Sequence, residues 1–153
     1  MVSNMEGFWI ELLKNKVLWT AIFCAVLAQG IKVILGLIKR QKFSFYWLLS
    51  TGGMPSAHSA AVVSLVVSVA KELGVASASF AFSVVFAFIT MFDAQTWRRS
   101  IGVQARILNN MMEDLQEKKK IEEYRLKELV GHTPVEVFVG GLIGIIVPLI
   151  FLR

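Results

Sequence analysis

Cysteine, histidine and charge are all scarce in this chain. Its one cysteine, Cys24, cannot close an intrachain disulfide, so a disulfide-held scaffold is excluded and the redox compartment is left unmarked. No segment repeats and none is of low complexity, which excludes a repeat array. Charged residues make up 18% of the chain against 56% hydrophobic, and they are nearly missing from four stretches. Residues 17–38 are charged only at Lys32, 55–70 and 74–92 carry no charge, and 135–152 are charged only at Glu136. A soluble helix would show an amphipathic stripe, whereas these runs are apolar on every face. A bilayer core of ~30 Å asks for roughly 20 such residues per helix. An ordinary soluble domain is therefore excluded.

What is present is the pattern of an all-α polytopic membrane protein, a single domain over residues 1–153 with about four transmembrane helices. The predicted spans are about 17–38, 55–73, 74–92 and 135–152, the second being the shortest and rich in serine and alanine. The first run starts after two lysines and is 22 residues long, which reads as a span and not as a cleaved signal peptide. Residues 94–131 read as a cytoplasmic helical segment, amphipathic in its outer part, "EDLQEKKKIEEYRLKE". The net charge of +5 would suit nucleic acid, but its distribution points to a membrane surface, and no nucleic-acid partner is expected. With four spans, Lys14, Lys16, Lys71 and Arg153 share one side. The other side holds eleven bases: Lys39, Arg40, Lys42, Arg98, Arg99, Arg106, Lys118, Lys119, Lys120, Arg125 and Lys127. That second side is predicted to face the cytoplasm.

The same folding brings the unusual polar residues to one level of the cytoplasmic face. His58 follows the "GGMPSAH" turn at the start of the second run, Asp93, Arg98 and Arg99 end the third, and His132 and Glu136 open the fourth. Lys32 and Lys39 lie two helical turns apart, on nearly one helix face. Lys32 sits about 9 Å of helix rise inside Ile38, where a lysine costs roughly 3 kcal/mol unless an anion accompanies it. The alternative is that it snorkels to the interface. "TPVE" is a capping box with Thr133 as N-cap, Pro134 at the first helical position and Glu136 at N3, which leaves room for a second role of the carboxylate. Gly140 and Gly144 form a GxxxG pair whose first reading is helix packing. Bases and helix N-termini together make an anion site, phosphate above all. A neutral imidazole oriented by a carboxylate can attack phosphorus, and a second imidazole can protonate the leaving group.

Three blocks carry a resemblance. "PSAH" (55–58) resembles the P-S-G-H motif of the type 2 phosphatidic acid phosphatase superfamily, which includes the vanadium haloperoxidases. "GHTPVE" (131–136) resembles its last motif, in which an acid follows the nucleophilic histidine by four positions. With "DAQTWRRSIGVQARILN" between them, the chain is similar to a small divergent branch of that superfamily over roughly residues 20–152. The resemblance implies His132 as nucleophile, Glu136 as its orienting acid and His58 as general acid and then base. Ser56, Ala57 and the amides around them would hold phosphate oxygens, with Lys32 and Lys39 as the bases of the first motif. Ala57 stands where the motif has glycine, Glu136 where it has aspartate, and Leu126 where it has an arginine. Arg98 or Arg99 would replace that charge, with Arg125, Lys127 and Asp93 as further candidates. The activity implied is metal-free and cofactor-free hydrolysis of a lipid phosphate: phosphatidic acid, phosphatidylglycerol phosphate or a polyprenyl pyrophosphate. The alternative is a non-catalytic protein that binds anionic lipid as a scaffold or transport component. A homodimer is compatible with either.

Overall fold

The computed structural model describes residues 2–38, 53–116 and 132–152, and side chains within 7–38, 53–96, 100–113 and 132–152. Among the described residues five helices follow in order: α1 (Val2–Lys14), α2 (Lys16–Ile38), α3 (Ala57–Leu73), α4 (Ala78–Gln116) and α5 (Pro134–Phe151). Each boundary has a local cause. Asn15 interrupts the chain between α1 and α2, and its Oδ1 accepts the Leu18 N–H at 3.0 Å. Ser56 caps α3, and Gly74 ends it at a φ of 80° while its N–H donates to the Ala70 carbonyl. In the short turn that follows, the Ser77 hydroxyl donates to the Gly74 carbonyl at 2.8 Å and accepts the Phe80 N–H at 3.1 Å, starting α4. Thr133 and Glu136 form the capping box of α5, with Pro134 in its first turn.

Among the described residues three helices are long and apolar enough to cross a membrane: α2, most of α4 and α5. The fourth expected span is the exception. Residues 57–73 form the 17-residue α3, which is not among the three. Its position explains its composition. α3 runs the depth of the bundle and touches α2, α4 and α5, so most of its surface meets protein. At one end Lys32 of α2 lies against Gly53, just before α3; at the other, Val17 and Leu18 line a common groove with Val69 and Leu73. A helix enclosed in this way needs small residues for close approach more than bulky apolar ones for lipid. Accordingly Ser59, Ala60, Ser64 and Ser68 of α3 are fully buried, whereas Phe82, Phe88, Ile146 and Phe151 on the outer helices are exposed.

The closest approach is between α3 and α5. A Cβ at Gly140 would overlap the Ser56 carbonyl oxygen and stand 3.1 Å from Ser59 Cβ. One at Gly144 would stand 2.7 Å from the Ala60 oxygen and 2.9 Å from the Ser64 nitrogen. The GxxxG pair therefore packs on the α3 backbone, as expected. Cys24, Ala28, Ala60 and Val147 form the buried apolar cluster, joined by Leu27, Ala57 and Ile143. α4 continues without a break to Gln116, about 58 Å of helix, so it extends well past a hydrocarbon core. This agrees with the expected helix leaving the third span as far as 116. The rest of that segment lies outside the described residues.

Candidate active site

The start of α5 builds the centre of the site. Glu136 Oε2 accepts the Thr133 N–H at 3.1 Å, closing the capping box, and the same oxygen accepts the His132 Nδ1–H at 3.1 Å. Thr133 Oγ1 in turn accepts the Glu136 N–H at 3.3 Å. Capping and orienting are thus performed by one carboxylate oxygen, so the two readings of Glu136 coexist. A carboxylate accepts only, which puts the imidazole proton on Nδ1 and the lone pair on Nε2. His132 is 4% exposed. Its backbone N–H donates to the Ala94 carbonyl at 3.2 Å, which ties the loop before α5 to α4.

The start of α3 supplies the second half. His58 is the second residue of α3 and half-buried, and its ring centroid lies 6.1 Å from that of His132 at an interplanar angle of 60°. The two imidazoles come from positions 74 residues apart in sequence and meet because Gly140 lets α5 lie directly on Ser56. Ser56 is fully buried, and its backbone and Oγ are hydrogen-bonded. Its N–H donates to the Glu136 carbonyl at 3.0 Å. Its Oγ accepts the Ser59 N–H at 3.3 Å and the Ser59 hydroxyl at 3.1 Å. In this structure Ser56 is a cap and a strut between helices. Ala57 packs its methyl against the Cys24–Ala28–Ala60–Val147 cluster, so the atom that replaces the motif's glycine hydrogen faces the apolar core. The positive end of the α3 dipole lies at this turn.

Lys32 reaches the same end of the bundle. Its stem runs past Gly53, where a Cβ would stand 3.7 Å from Lys32 Cδ, and its charge is close enough to Glu136 to interact with it. Gly53 has a φ of 83°, a backbone state that glycine alone adopts without strain. The structure therefore brings together His58, His132, Glu136, Ser56, Ala57 and Lys32. Asp93 is exposed on α4 beside Ala94, and among the described residues no three His, Cys, Asp or Glu side chains are grouped as a metal would require. Arg98 and Arg99 follow about one turn beyond Ala94 in α4. Lys39, Arg125 and Lys127 lie outside the described residues. Two contributors were missed from sequence. Ala94 acts through its carbonyl, for which no side-chain signal exists, and Ser59 was hidden in a small-residue run whose spacing from Ser56 fits an N-cap contact.

Comparison with known proteins places the chain in a family. The model of the Divergent PAP2 family matches residues 13–147, which include every helix of the site. An uncharacterized membrane protein of Bacillus subtilis (strain 168), YuiD, is 43% identical over 152 residues, covering 92% of this chain and 96% of the relative. No solved structure matches the chain. Since the family match spans the three sequence blocks and all four helices that meet at His58 and His132, the chain belongs to the Divergent PAP2 family.

Proposed function

We propose that this protein is an integral membrane phosphatase that hydrolyses a phosphomonoester or pyrophosphate of a lipid through a phosphohistidine intermediate. The observation that carries the reading is the His132–Glu136 pair at 3.1 Å with the His58 ring 6.1 Å away. In the proposed reaction Nε2 of His132 bonds to phosphorus in line with the departing oxygen, and the P–O bond to the lipid breaks. His58, as imidazolium, gives its proton to the leaving oxygen. Neutral His58 then takes a proton from water as the water oxygen attacks phosphorus. The P–N bond breaks, and inorganic phosphate leaves with both histidines restored. Lys32 and the α3 N-terminus supply positive potential, with Lys39, Arg98, Arg99, Arg125 and Lys127 as the further phosphate-binding candidates. No metal or cofactor takes part. A site at the bilayer edge suits a phosphate head on an apolar tail, the property shared by phosphatidic acid, phosphatidylglycerol phosphate and polyprenyl pyrophosphates. The arginine and lysine bias assigns this face to the cytoplasm.

The test is phosphate release from that panel of lipids by detergent-purified protein in EDTA. Wild type and Lys71→Gln, an exposed change at the far end of α3, are expected to turn over, and His132→Ala to fall to background. Equal background from all three would move the weight to a second reading, a non-catalytic protein that binds anionic lipid. Ser56 favours that second reading, because its N–H donates within the protein and its Oγ already accepts from the Ser59 N–H and hydroxyl. It expects lipid phosphates to bind without turnover.

A further inference from the structure

At the opposite end of the bundle the α1–α2 elbow makes a second feature that the proposed reaction does not use. An open groove of about 690 Å³ runs between the start of α2 and the end of α5, within the ~300–1,000 Å³ range of ligand pockets. Trp19, Phe23, Val26 and Phe151 form its apolar walls, with the rings of Phe23 and Phe151 5.4 Å apart, while Lys14 and Lys16 stand at its rim. Glu11 and Glu72 do not line it; Glu72 lines a neighbouring groove that Lys14 and Lys16 also border. The elbow is held rather than loose. The Trp19 indole N–H donates to the Leu12 carbonyl at 3.1 Å, and the Asn15 N–H donates to the same carbonyl at 3.2 Å. α1 itself exposes Phe8, Trp9 and Leu13 beside Glu11 and Lys14, the composition of a helix lying in a membrane interface.

We propose that this groove binds an anionic glycerophospholipid, with an acyl chain between Phe23, Val26 and Phe151 and the phosphate against Lys14 and Lys16. The occupant follows from the pairing of surfaces. An apolar slot open to lipid takes a chain, and two lysines with no carboxylate in the lining take a negative headgroup, as basic residues at a membrane surface do. Trp19, three residues beyond Lys16, suits the headgroup level. The site is separate from the candidate active site, because Lys16 and Lys32 are about 24 Å of helix rise apart on α2. The bound lipid would be a resident of the other leaflet, bracing α1 and α5 against α2, and not the substrate.

Trp19 reports on the groove directly. The full chain, with Trp9, Trp47 and Trp97 replaced by Phe, is reconstituted in phosphatidylcholine vesicles. These contain either dibrominated phosphatidylglycerol or dibrominated phosphatidylcholine at equal mole fraction. Quenching of Trp19 is expected to show a preference of roughly thirty-fold for the anionic lipid, the scale of two lysine contacts at about 1 kcal/mol each. Lys14→Gln with Lys16→Gln is expected to abolish that preference, and Lys32→Gln to leave it intact. Equal quenching by both lipids, persistence in the double lysine variant, or loss in Lys32→Gln would each overturn the proposal. Native mass spectrometry of the chain with all its tryptophans, in mixed detergent and lipid, gives the same comparison. There, retention of phosphatidylglycerol over phosphatidylcholine must fall in Lys14→Gln, Lys16→Gln.

Discussion

Glu136 is the residue on which the candidate site turns, because one of its oxygens accepts from both Thr133 and His132. A helix cap needs an acceptor, and glutamine serves the capping box as well as glutamate. Holding an imidazole that becomes cationic during the reaction needs a negative charge. Glu136→Gln separates the two demands. Its thermal unfolding in detergent is expected to stay within about 1 kcal/mol of wild type, the scale of a cap. Phosphate release is expected to drop on the order of 10³–10⁴-fold, as when a triad carboxylate becomes an amide. A variant that keeps its full rate would reduce Glu136 to a cap. Ser56→Ala is argued on different grounds: it removes an N-cap acceptor and the partner of the buried Ser59 hydroxyl. A loss of about 1–3 kcal/mol in stability is expected, combining the cap and one unsatisfied buried hydroxyl.

At the scale of elements, the contact between α3 and α5 sets the distance between the histidines. Gly140 and Gly144 lie on the α3 backbone with no room for a methyl group, whereas a Cβ at Gly141 would meet only Val63 Cγ2 at 3.8 Å. Gly140→Ala and Gly144→Ala are therefore expected to destabilise the protein by about 1–3 kcal/mol through overpacking. Gly140→Ala in addition pushes Ser56 away from the Glu136 carbonyl. Gly141→Ala is expected to be neutral or stabilising by up to about 1 kcal/mol, since alanine is the better helix former. Melting temperatures of the three variants in one detergent check this ranking, and equal effects at 140 and 141 would contradict the packing described.

For the whole molecule, the question is which face holds the site. The bundle places Lys32, the start of α3, Ala94 and His132 together at one end, and the α1–α2 elbow with the Gly74–Ser77 turn at the other. In the proposed orientation the first end faces the cytoplasm, on the expectation from the bias of eleven bases against four. In a Cys24→Ser background, a maleimide that cannot cross membranes is expected to label Val75→Cys in intact cells. It is expected to spare Met111→Cys until the cells are opened. Both 75 and 111 are exposed. The reverse pattern would place the histidines on the outer face.

The sequence by itself determined the helical membrane class, three of the spans and the N-terminus of α5. It also indicated the end of the bundle where the histidines meet. These depend on hydropathy over about 20 residues and on a capping pattern four residues long, and a continuous apolar run of that length satisfies its backbone in a bilayer as a helix. The expected second span, 55–73, coincides with α3, and its serine- and alanine-rich composition reflects enclosure by three other helices, which need small side chains for close approach. Only the tertiary structure decided that Glu136 serves cap and histidine with one oxygen, that Ser56 braces α5, that Ala94 holds His132 and that the Ala57 methyl faces the core. Three of those contacts join helices distant in sequence, through backbone atoms or one methyl group. The Ser56 contact is set by how closely Gly140 and Gly144 let α5 approach α3, a quantity no local pattern encodes.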